Sequence, residues 1–473
     1  MPLVAGIDSS TQSCKLVIRD AETGALVRSG RASHPNGTEV NPAAWVSALA
    51  QSIEQAGGLD DVAALSIGGQ QHGMVLLDAD GRVIRDALLW NDTRSAEQAQ
   101  LLIEHFGAQY LAAETGSIPV ASFTSTKVLW VAQNEPENAA RIAAICLPHD
   151  YLTWRLAGYG PAGESQFGPD LNALTTDESD ASGTGYYSAK QGGYVAPIIE
   201  WILGRMPILP RIVASNEAAY PANPQREVFK GLLGAGAGDN AAAGFGVGAD
   251  NGDVVVSLGT SGTVFAVTDV STADETGTIA GFASVSGSFL PLVCTLNAAR
   301  ILDSFCRVLE VDHHGLGELA LQAEPGSGGV VLLPYFEGER TPNLPDAKAS
   351  IHGLTLHNNT RANLARAAVE GMLCGLADGL AAMTAEGVKC SRVILVGGAA
   401  ENPAVQKIAA QVFGVEICVP KAGEYVADGA ARQAAWALLG TEKKWQIATE
   451  ANVKADTQPV ILQQYHSAFE SIH

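Results

Sequence analysis

Positive charge is scarce in this chain, and paired cysteine motifs are missing. Lys and Arg number 29 against 50 Asp and Glu, for a net charge of −21 over 473 residues. That balance argues against nucleic acid and anionic membrane as partners, since both demand a basic footprint. A small anionic ligand stays open, because a few backbone N–H groups and one cation reverse the field locally. The seven cysteines (Cys14, Cys146, Cys294, Cys306, Cys374, Cys390 and Cys418) are odd in number and scattered. Without a C-x-x-C pair they speak against zinc and a disulfide framework, and most read as buried small hydrophobes. No basic stretch followed by an apolar run opens the chain, so no secretory leader is expected. Apolar runs are interrupted short of a bilayer span, which makes the cytoplasm the expected compartment. Solenoid-length repeats and low-complexity tracts are missing too.

What is present points to a well-buried globular protein. Hydrophobic residues make up 47% and charged residues 17%, a composition that folds rather than staying disordered. The length exceeds what one core usually covers, so two domains are expected. The 51 glycines imply many tight turns and close backbone approaches.

The most informative feature is an echo. Asp8-Ser-Ser-Thr-Gln-Ser-Cys-Lys15 runs into Leu-Val-Ile, and Ser257-Leu-Gly-Thr-Ser-Gly-Thr263 runs into Val-Phe-Ala-Val. Small and hydroxyl residues leading into a β-rich segment bring N–H and OH groups close to an anion. Either stretch alone reads equally well as a hairpin tip. The pair, one in each half, suggests a duplicated fold gripping a polyphosphate from both sides.

The surrounding pattern agrees. Strands are expected at 3–7, 15–19, 26–32 and 62–67, with a hairpin over 74–90 around the 78–81 turn. Pro42 starts a helix with Trp45, Val46, Leu49 and Ile53 at helical spacing. Residues 95–212 read as mainly helical, with irregular insertions at 157–184. A strand at 228–233 leads into Gly236-Ala-Gly-Asp239-Asn240 and a small-residue helix over 241–247. A polar Gly/Asp patch at 248–252 marks the expected boundary, dividing the chain into domains 1–248 and 249–473. Strands restart at 254–257 and 263–268. A helix over 362–383 is capped by Thr360, with Leu364, Ala367, Ala368, Met372 and Leu376 on one face. A strand at 392–396 delivers Gly397-Gly398-Ala399, and an Ala-rich helix over 428–439 follows. Two α/β domains with a cleft between them are expected.

The motifs now resemble those of the FGGY carbohydrate kinases, over nearly the whole chain. They are Asp8-Ser-Ser-Thr11, Gly69-Gln-Gln-His72-Gly73, Leu89-Trp90-Asn91-Asp92, Leu147-Pro-His-Asp150-Tyr151-Leu152 and Ser179-Asp180-Ala-Ser-Gly183-Thr184. Gly238-Asp239-Asn240, Ser257–Gly262, Leu333-Pro-Tyr-Phe-Glu-Gly-Glu-Arg340-Thr-Pro342 and Val396-Gly-Gly-Ala-Ala-Glu-Asn402 complete the series. Their order and spacing are far more specific than any one of them. The resemblance implies a two-domain actin-like ATPase (ribonuclease H-like) fold with duplicated β-sheet cores. It implies transfer of a phosphoryl group from ATP to a sugar, and the site loop is most similar to members acting on D-xylulose. Another ketose or polyol, such as ribulose or an alditol, is the alternative substrate. A nucleotide-gated binding module without catalysis is the alternative class. Two turns depart from the family pattern: Ser10 stands where Gly is common, and Ala237 replaces the middle Gly before Asp239.

The resemblance also implies roles. Asp239 is the candidate base that takes the sugar hydroxyl's proton; its plainer reading is an N-cap for the following helix. Asp8 is the candidate ligand for Mg²⁺, through water, or a strand-end Asp bonding its own turn. ATP makes a divalent ion close to obligatory. Thr11 and Ser13, with Gly259, Thr260 and Thr263, are expected to contact phosphates through N–H and hydroxyl groups. Lys15 either neutralises phosphate charge or is a solvated strand lysine. Gln71, His72 and Asn240 offer donors and acceptors to sugar hydroxyls. His72 stands where glycerol-kinase-like members carry Arg, which points away from a small triol. Trp90 reads equally as a wall for the sugar's carbon face or as core. Gly398, Ala399 and Asn402 are expected against adenine, with Asn297 and Ala298 as further nucleotide candidates. Glu339 and Arg340 are read as a salt bridge bracing the hinge. Family likeness makes a homodimer an expectation, although no interface stripe is legible.

Overall fold

The computed structural model describes residues 1–471. Its framework is two seven-stranded sheets built to one plan. In the first, Leu3–Ser9, Ser13–Asp20 and Leu26–Ser33 form an antiparallel meander. Val62–Gly69 then joins Leu3–Ser9 in parallel, Leu232–Gly234 joins Val62–Gly69, and Ala218–Tyr220 closes the edge antiparallel. In the second, Asp253–Leu258, Gly262–Ala266 and Phe289–Thr295 repeat the meander. Arg392–Val396 and Glu416–Pro420 repeat the parallel pair, and Thr449–Val453 repeats the antiparallel edge. Each sheet adds one strand of its own, Ala237–Gly238 in the first and Ala280–Ala283 in the second. The duplication that the two turns suggested extends through strand order and direction, as the actin-like ATPase fold requires.

Local signals explain the flanking helices. Pro42–Gln55 starts where the Asn41 side chain accepts the Ala43 N–H at 2.9 Å, with Pro at its first position. Its buried Trp45, Ala48, Leu49 and Ser52 face the meander, and a Cβ on Gly30 would stand 2.0 Å from the Ser52 carbonyl. Arg361–Ala385 is capped by Thr360, which accepts from the Asn363 N–H. Among the described residues it is the one helix long and apolar enough to cross a membrane, yet 78% of its apolar window is buried in the second core. Arg366 and Glu370 pair inside it at 2.6 Å, which suits a core helix.

Two Ala/Gly-rich helices lock the halves together by exchange. Asp239–Gly246, contributed by the first half, packs through Ala241, Ala242 and Phe245 on Val255, Phe265 and Ile394 of the second sheet. Tyr425–Leu439, contributed by the second half, packs through Ala427, Ala431 and Ala434 on Val4, Val17 and Ala64 of the first. Where the helices cross, a Cβ on Gly429 would lie 1.9 Å from the Ala242 carbonyl. A Cβ on Gly6 would lie 1.9 Å from the Ala427 carbonyl. Small residues are therefore demanded here by backbone contact, whatever their helix propensity.

Three local expectations change. The 74–90 hairpin is reduced to isolated bridges, Met74 with Leu88 and Leu77 with Val83. Val75–Leu77 instead takes Ala144–Cys146 as partner, and Ala87–Leu88 takes Glu39–Val40. Distant segments won because they bury both faces of these short strands. The 228–233 strand shrinks to Leu232–Gly234, since Val228 is exposed and has no partner strand. The 157–184 insertion, expected to be irregular, contains short helical turns that reach the site described next.

Candidate active site

Register alone gathers the first half of the site. Ser9 pairs with Gly69, and Gly69 pairs with Gly238, so three chain segments leave the sheet side by side. They deliver the Ser10–Gln12 turn, the Gln70–His72 loop and Asp239 to one edge. The second sheet repeats this: Ser257 pairs with Val396, setting the Gly259–Ser261 turn beside Gly397 and Gly398. Phe282 of the second sheet packs its ring 5.7 Å from His72, while Lys15 reaches across to Glu424 at 2.6 Å.

Asp239 is the first residue of its helix, with Gly238 as N-cap. It is not the N-cap residue, though Oδ1 takes one first-turn N–H, that of Asn240 at 2.8 Å, together with Asn240 Nδ2 at 3.0 Å. The plain N-cap reading is thereby corrected. Desolvation, with the Asp8 carboxylate adding its repulsion, pushes the Asp239 carboxyl up to about 7. Asp8 is also buried and is pushed up to about 6, although Lys15 pulls it the other way. One Asp8 oxygen, Oδ1, is buried without a hydrogen-bond partner; Oδ2 meets Lys15 Nζ at 3.4 Å. Lys15 is thus neither solvated nor free for phosphate, since it bridges Asp8 and Glu424.

The sugar-side candidates lie near Asp239. Gln71 is buried, donates Nε2 to the Ser179 carbonyl at 2.9 Å, and lies so close that a Cβ on Gly238 would meet its Nε2 at 2.7 Å. His72 adopts a left-handed backbone (φ 68°), unusual for a residue with a Cβ. Thr124 Oγ1 and Lys127 Nζ both donate to its carbonyl, at 3.2 and 3.3 Å. Burial, then the positive charges of Lys127 and Arg340, hold its ring down at about 3, so it is neutral. With Nδ1–H donated to the Gly183 carbonyl at 2.5 Å, Nε2 is left as an acceptor. Trp90 is 43% exposed and donates Nε1 to Thr11 Oγ1 at 2.8 Å, which removes the core reading.

The phosphate turns differ from each other. Ser10 keeps an ordinary backbone, and its N–H and hydroxyl both donate to the Ser13 carbonyl, at 3.0 and 2.9 Å. The Ser and Ala substitutions are accommodated, because neither Ser10 nor Ala237 needs positive φ. Thr11 Oγ1 is already committed to Gln70 at 3.3 Å and to Trp90, so its N–H is what remains for an anion. Ser13 is buried at the strand start, where its carbonyl closes the turn. In the second turn Thr260 is exposed, Gly259 and Thr263 are half-buried, and the Gly259 carbonyl accepts from Ala299 N–H.

A cavity of about 590 Å³ opens beside that turn, lined by Gly259, Thr260, Leu302, Gly398, Ala399 and Asn402 among others. Gly397 enforces its shape: its φ is 96°, and a Cβ there would stand 2.6 Å from the Leu258 carbonyl. Asn402 is the N-cap of Pro403–Phe413, accepting from Ala404 N–H and donating to the His313 carbonyl. Its side chain is held in place at the cavity wall by these two bonds. Asn297 and Ala298 are buried at 2% and 0%, and Asn297 binds Gly338 and Glu339, so neither faces the cavity as a nucleotide contact. The expected Glu339–Arg340 salt bridge is also absent. Glu339 is buried and takes the Leu296, Arg340 and Asn297 N–H groups at 2.6, 2.8 and 2.9 Å, because a desolvated carboxylate needs several donors. Asp303, His313 and His314 line the same cavity and carried no local signature; packing of two helices brings them there.

Comparison with known proteins gives one answer. The model of the FGGY family of carbohydrate kinases, N-terminal domain, matches residues 3–246, and that of its C-terminal domain matches residues 254–438. A xylulose kinase of Streptomyces rubiginosus is 43% identical over 462 residues, covering 94% of this chain and 91% of the relative. One from Haemophilus influenzae is 32% identical, covering 98% and 97%. The crystal structure of xylulose kinase from Bifidobacterium adolescentis superposes with a TM-score of 0.93 at 47% identity, covering 99% of both chains.

Proposed function

Because this chain belongs to the FGGY family of carbohydrate kinases, we propose that it transfers the γ-phosphoryl of ATP to the 5-hydroxyl of D-xylulose. The observation that carries the chemistry is the placement of Asp239: first in its helix, near enough to Asp8 to feel its charge, next to Gly238 that packs on the Gln71 amide, with a carboxyl pushed up to about 7. A base whose affinity for protons lies near working pH both ionises and accepts a proton readily. Asp239 takes the hydroxyl proton as the new O–P bond forms and the β–γ bridge breaks, and ADP departs.

In this reading the sugar lies on the first half, residues 1–248. Gln71, His72 and Asn240 surround its hydroxyls and the exposed Trp90 face covers its carbons. His72, neutral and left with Nε2 as acceptor, takes a hydroxyl hydrogen rather than repelling it. The nucleotide lies on the second half, residues 249–473, with adenine in the Gly398–Asn402 cavity. Its phosphates run along the 259–263 turn toward the 11–13 turn. Asp8 suits a hydrated Mg²⁺, since a buried carboxylate oxygen without a donor is what a hard cation's water shell satisfies. When bound, that ion neutralises phosphate charge. Closure of the halves excludes water, which would otherwise compete as acceptor.

The deciding experiment is ADP release above a sugar-free background across D-xylulose, ribulose, glycerol and alditols. D-Xylulose is expected to give the highest kcat/KM. A higher value for another acceptor would overturn the substrate, and turnover indifferent to every sugar would overturn the kinase reading.

A further inference from the structure

Beneath the two glycine-lined strand ends lies a charged cluster that the transfer chemistry does not use. His149, Asp150, Asp177 and Asp180 are all buried. His149 Nδ1 stands 2.5 Å from Asp180 Oδ2 and 3.3 Å from Asp150 Oδ1, while Nε2 stands 3.3 Å from the Ala235 carbonyl and 4.0 Å from Asp177 Oδ1. Both ring nitrogens thus face only acceptors, the arrangement of an imidazolium donating twice. Burial by itself would strip its proton, but the three carboxylates outweigh burial and keep it charged. This cation stands where the acids would otherwise be uncompensated, which is costly in a dry interior.

The ring also fills the space under both segments that carry site residues. A Cβ on Gly236 would lie 2.1 Å from its Cδ2, and one on Gly69 would lie 2.8 Å from the His149 Cβ. From the cluster, hydrogen bonds lead outward to the site. Asp177 accepts from Ser179, through N at 2.8 Å and Oγ at 2.6 Å. Ser179 Oγ in turn accepts the Gly238 N–H at 3.0 Å, one residue before Asp239, and the Ser179 carbonyl holds the Gln71 amide at 2.9 Å. Four residues on, the Gly183 carbonyl holds His72.

We propose that His149 is a positioning residue for phosphoryl transfer: its buried cation anchors the 177–184 turn, and Ser179 of that turn pins both Gly238, next to the base, and the Gln71 amide. This rests on the reading of Asp239 as base and of Gln71 as a sugar contact. The relay fixes where the acceptor hydroxyl meets its base and leaves the nucleotide cavity untouched. Displacements near 1 Å at a reacting group cost on the order of 100-fold.

The test is steady-state kinetics of the full chain with ATP and D-xylulose. Ser179→Ala and His149→Gln are expected to lower kcat by about 10- to 100-fold and to raise the sugar KM several-fold. The ATP KM is expected to stay within about 2-fold. His149→Lys, which keeps a cation at this place, is expected to recover roughly 10-fold of the kcat lost in His149→Gln. Should His149→Gln not fold, Ser179→Ala keeps the test alive, since it leaves His149 with its three carboxylates and the Ser179 carbonyl in place and removes only the hydroxyl that links Asp177 to the Gly238 N–H. Wild-type kcat and sugar KM in Ser179→Ala would overturn the proposal, and so would equal losses in His149→Lys and His149→Gln, or a parallel rise in both KM values. If the wild-type chain itself releases no ADP with D-xylulose, the proposed function falls instead; wild-type turnover with unimpaired variants sinks the positioning role alone.

Discussion

Replacing Asp239 by Asn should abolish turnover and stabilise the fold in one stroke, with a pH dependence that identifies the cause. The carboxyl is raised from 3.8 to about 7 by desolvation and the Asp8 charge. A group that binds its proton more tightly when folded favours the folded state at low pH, and this advantage disappears as pH rises from the unfolded pKa to the folded one. Above about pH 7 the fold therefore carries the full cost of ionising Asp239, and Asn carries none. The shift of roughly 3 units sets an upper bound of about 4 kcal/mol at high pH, at 1.36 kcal/mol per unit. Near pH 5.5 roughly half of that is already present, so the variant's extra stability should grow by ~2 kcal/mol between about pH 5.5 and 8.5. Asn keeps the side-chain oxygen that accepts from Asn240, so little else changes. Urea denaturation at the two pH values measures the difference, while ADP release with D-xylulose should fall by about 10²- to 10⁴-fold. A stability difference independent of pH would show that the carboxyl is not desolvated in the folded chain. Turnover within 10-fold of wild type would remove Asp239 from the role of base.

Three further outcomes follow from the same geometry. Asp8→Asn should raise the Mg²⁺ concentration for half-maximal turnover by about 10- to 100-fold, read by titrating the metal at fixed ATP; an unchanged midpoint would take Asp8 out of the metal site. His72→Ala removes an acceptor worth about 1–3 kcal/mol and should raise the D-xylulose KM by roughly 10- to 100-fold with the ATP KM unmoved. Gly429→Val drives side-chain atoms into the Ala242 carbonyl at the helix crossing and should cost at least about 1–3 kcal/mol of stability, read as a lower thermal midpoint. A neutral result there would mean that the two exchanged helices slide apart without penalty.

Much of the catalytic side was legible in the chain because its signals are local. A turn of small and hydroxyl residues between two apolar strands marks where two antiparallel strands meet, wherever the rest of the chain goes. The same holds for Asp239 at a helix start and for the Asn41 and Thr360 caps, whose partners lie two or three residues away. What failed were statements about partners far along the sequence. Lys15 reads as a free cation until Glu424 is folded beside it, and Asn297 reads as a ligand contact until Gly338 and Glu339 take its amide. Asp303, His313 and His314 reach the cavity beside Gly259 and Gly398 only through helix packing.

By itself, then, the sequence determined that two similar αβ halves exist, where their small-residue turns lie, and which carboxylates stand beside them. Tertiary structure alone decided that each half lends a helix to cover the other's sheet, and that His149 sits buried among three carboxylates against Gly69 and Gly236. The reason is physical. Backbone turns and caps are fixed by neighbours a few residues away, whereas desolvation, ion pairing and close packing depend on groups up to about 400 residues distant, such as Arg19 and Asp428, meeting in space.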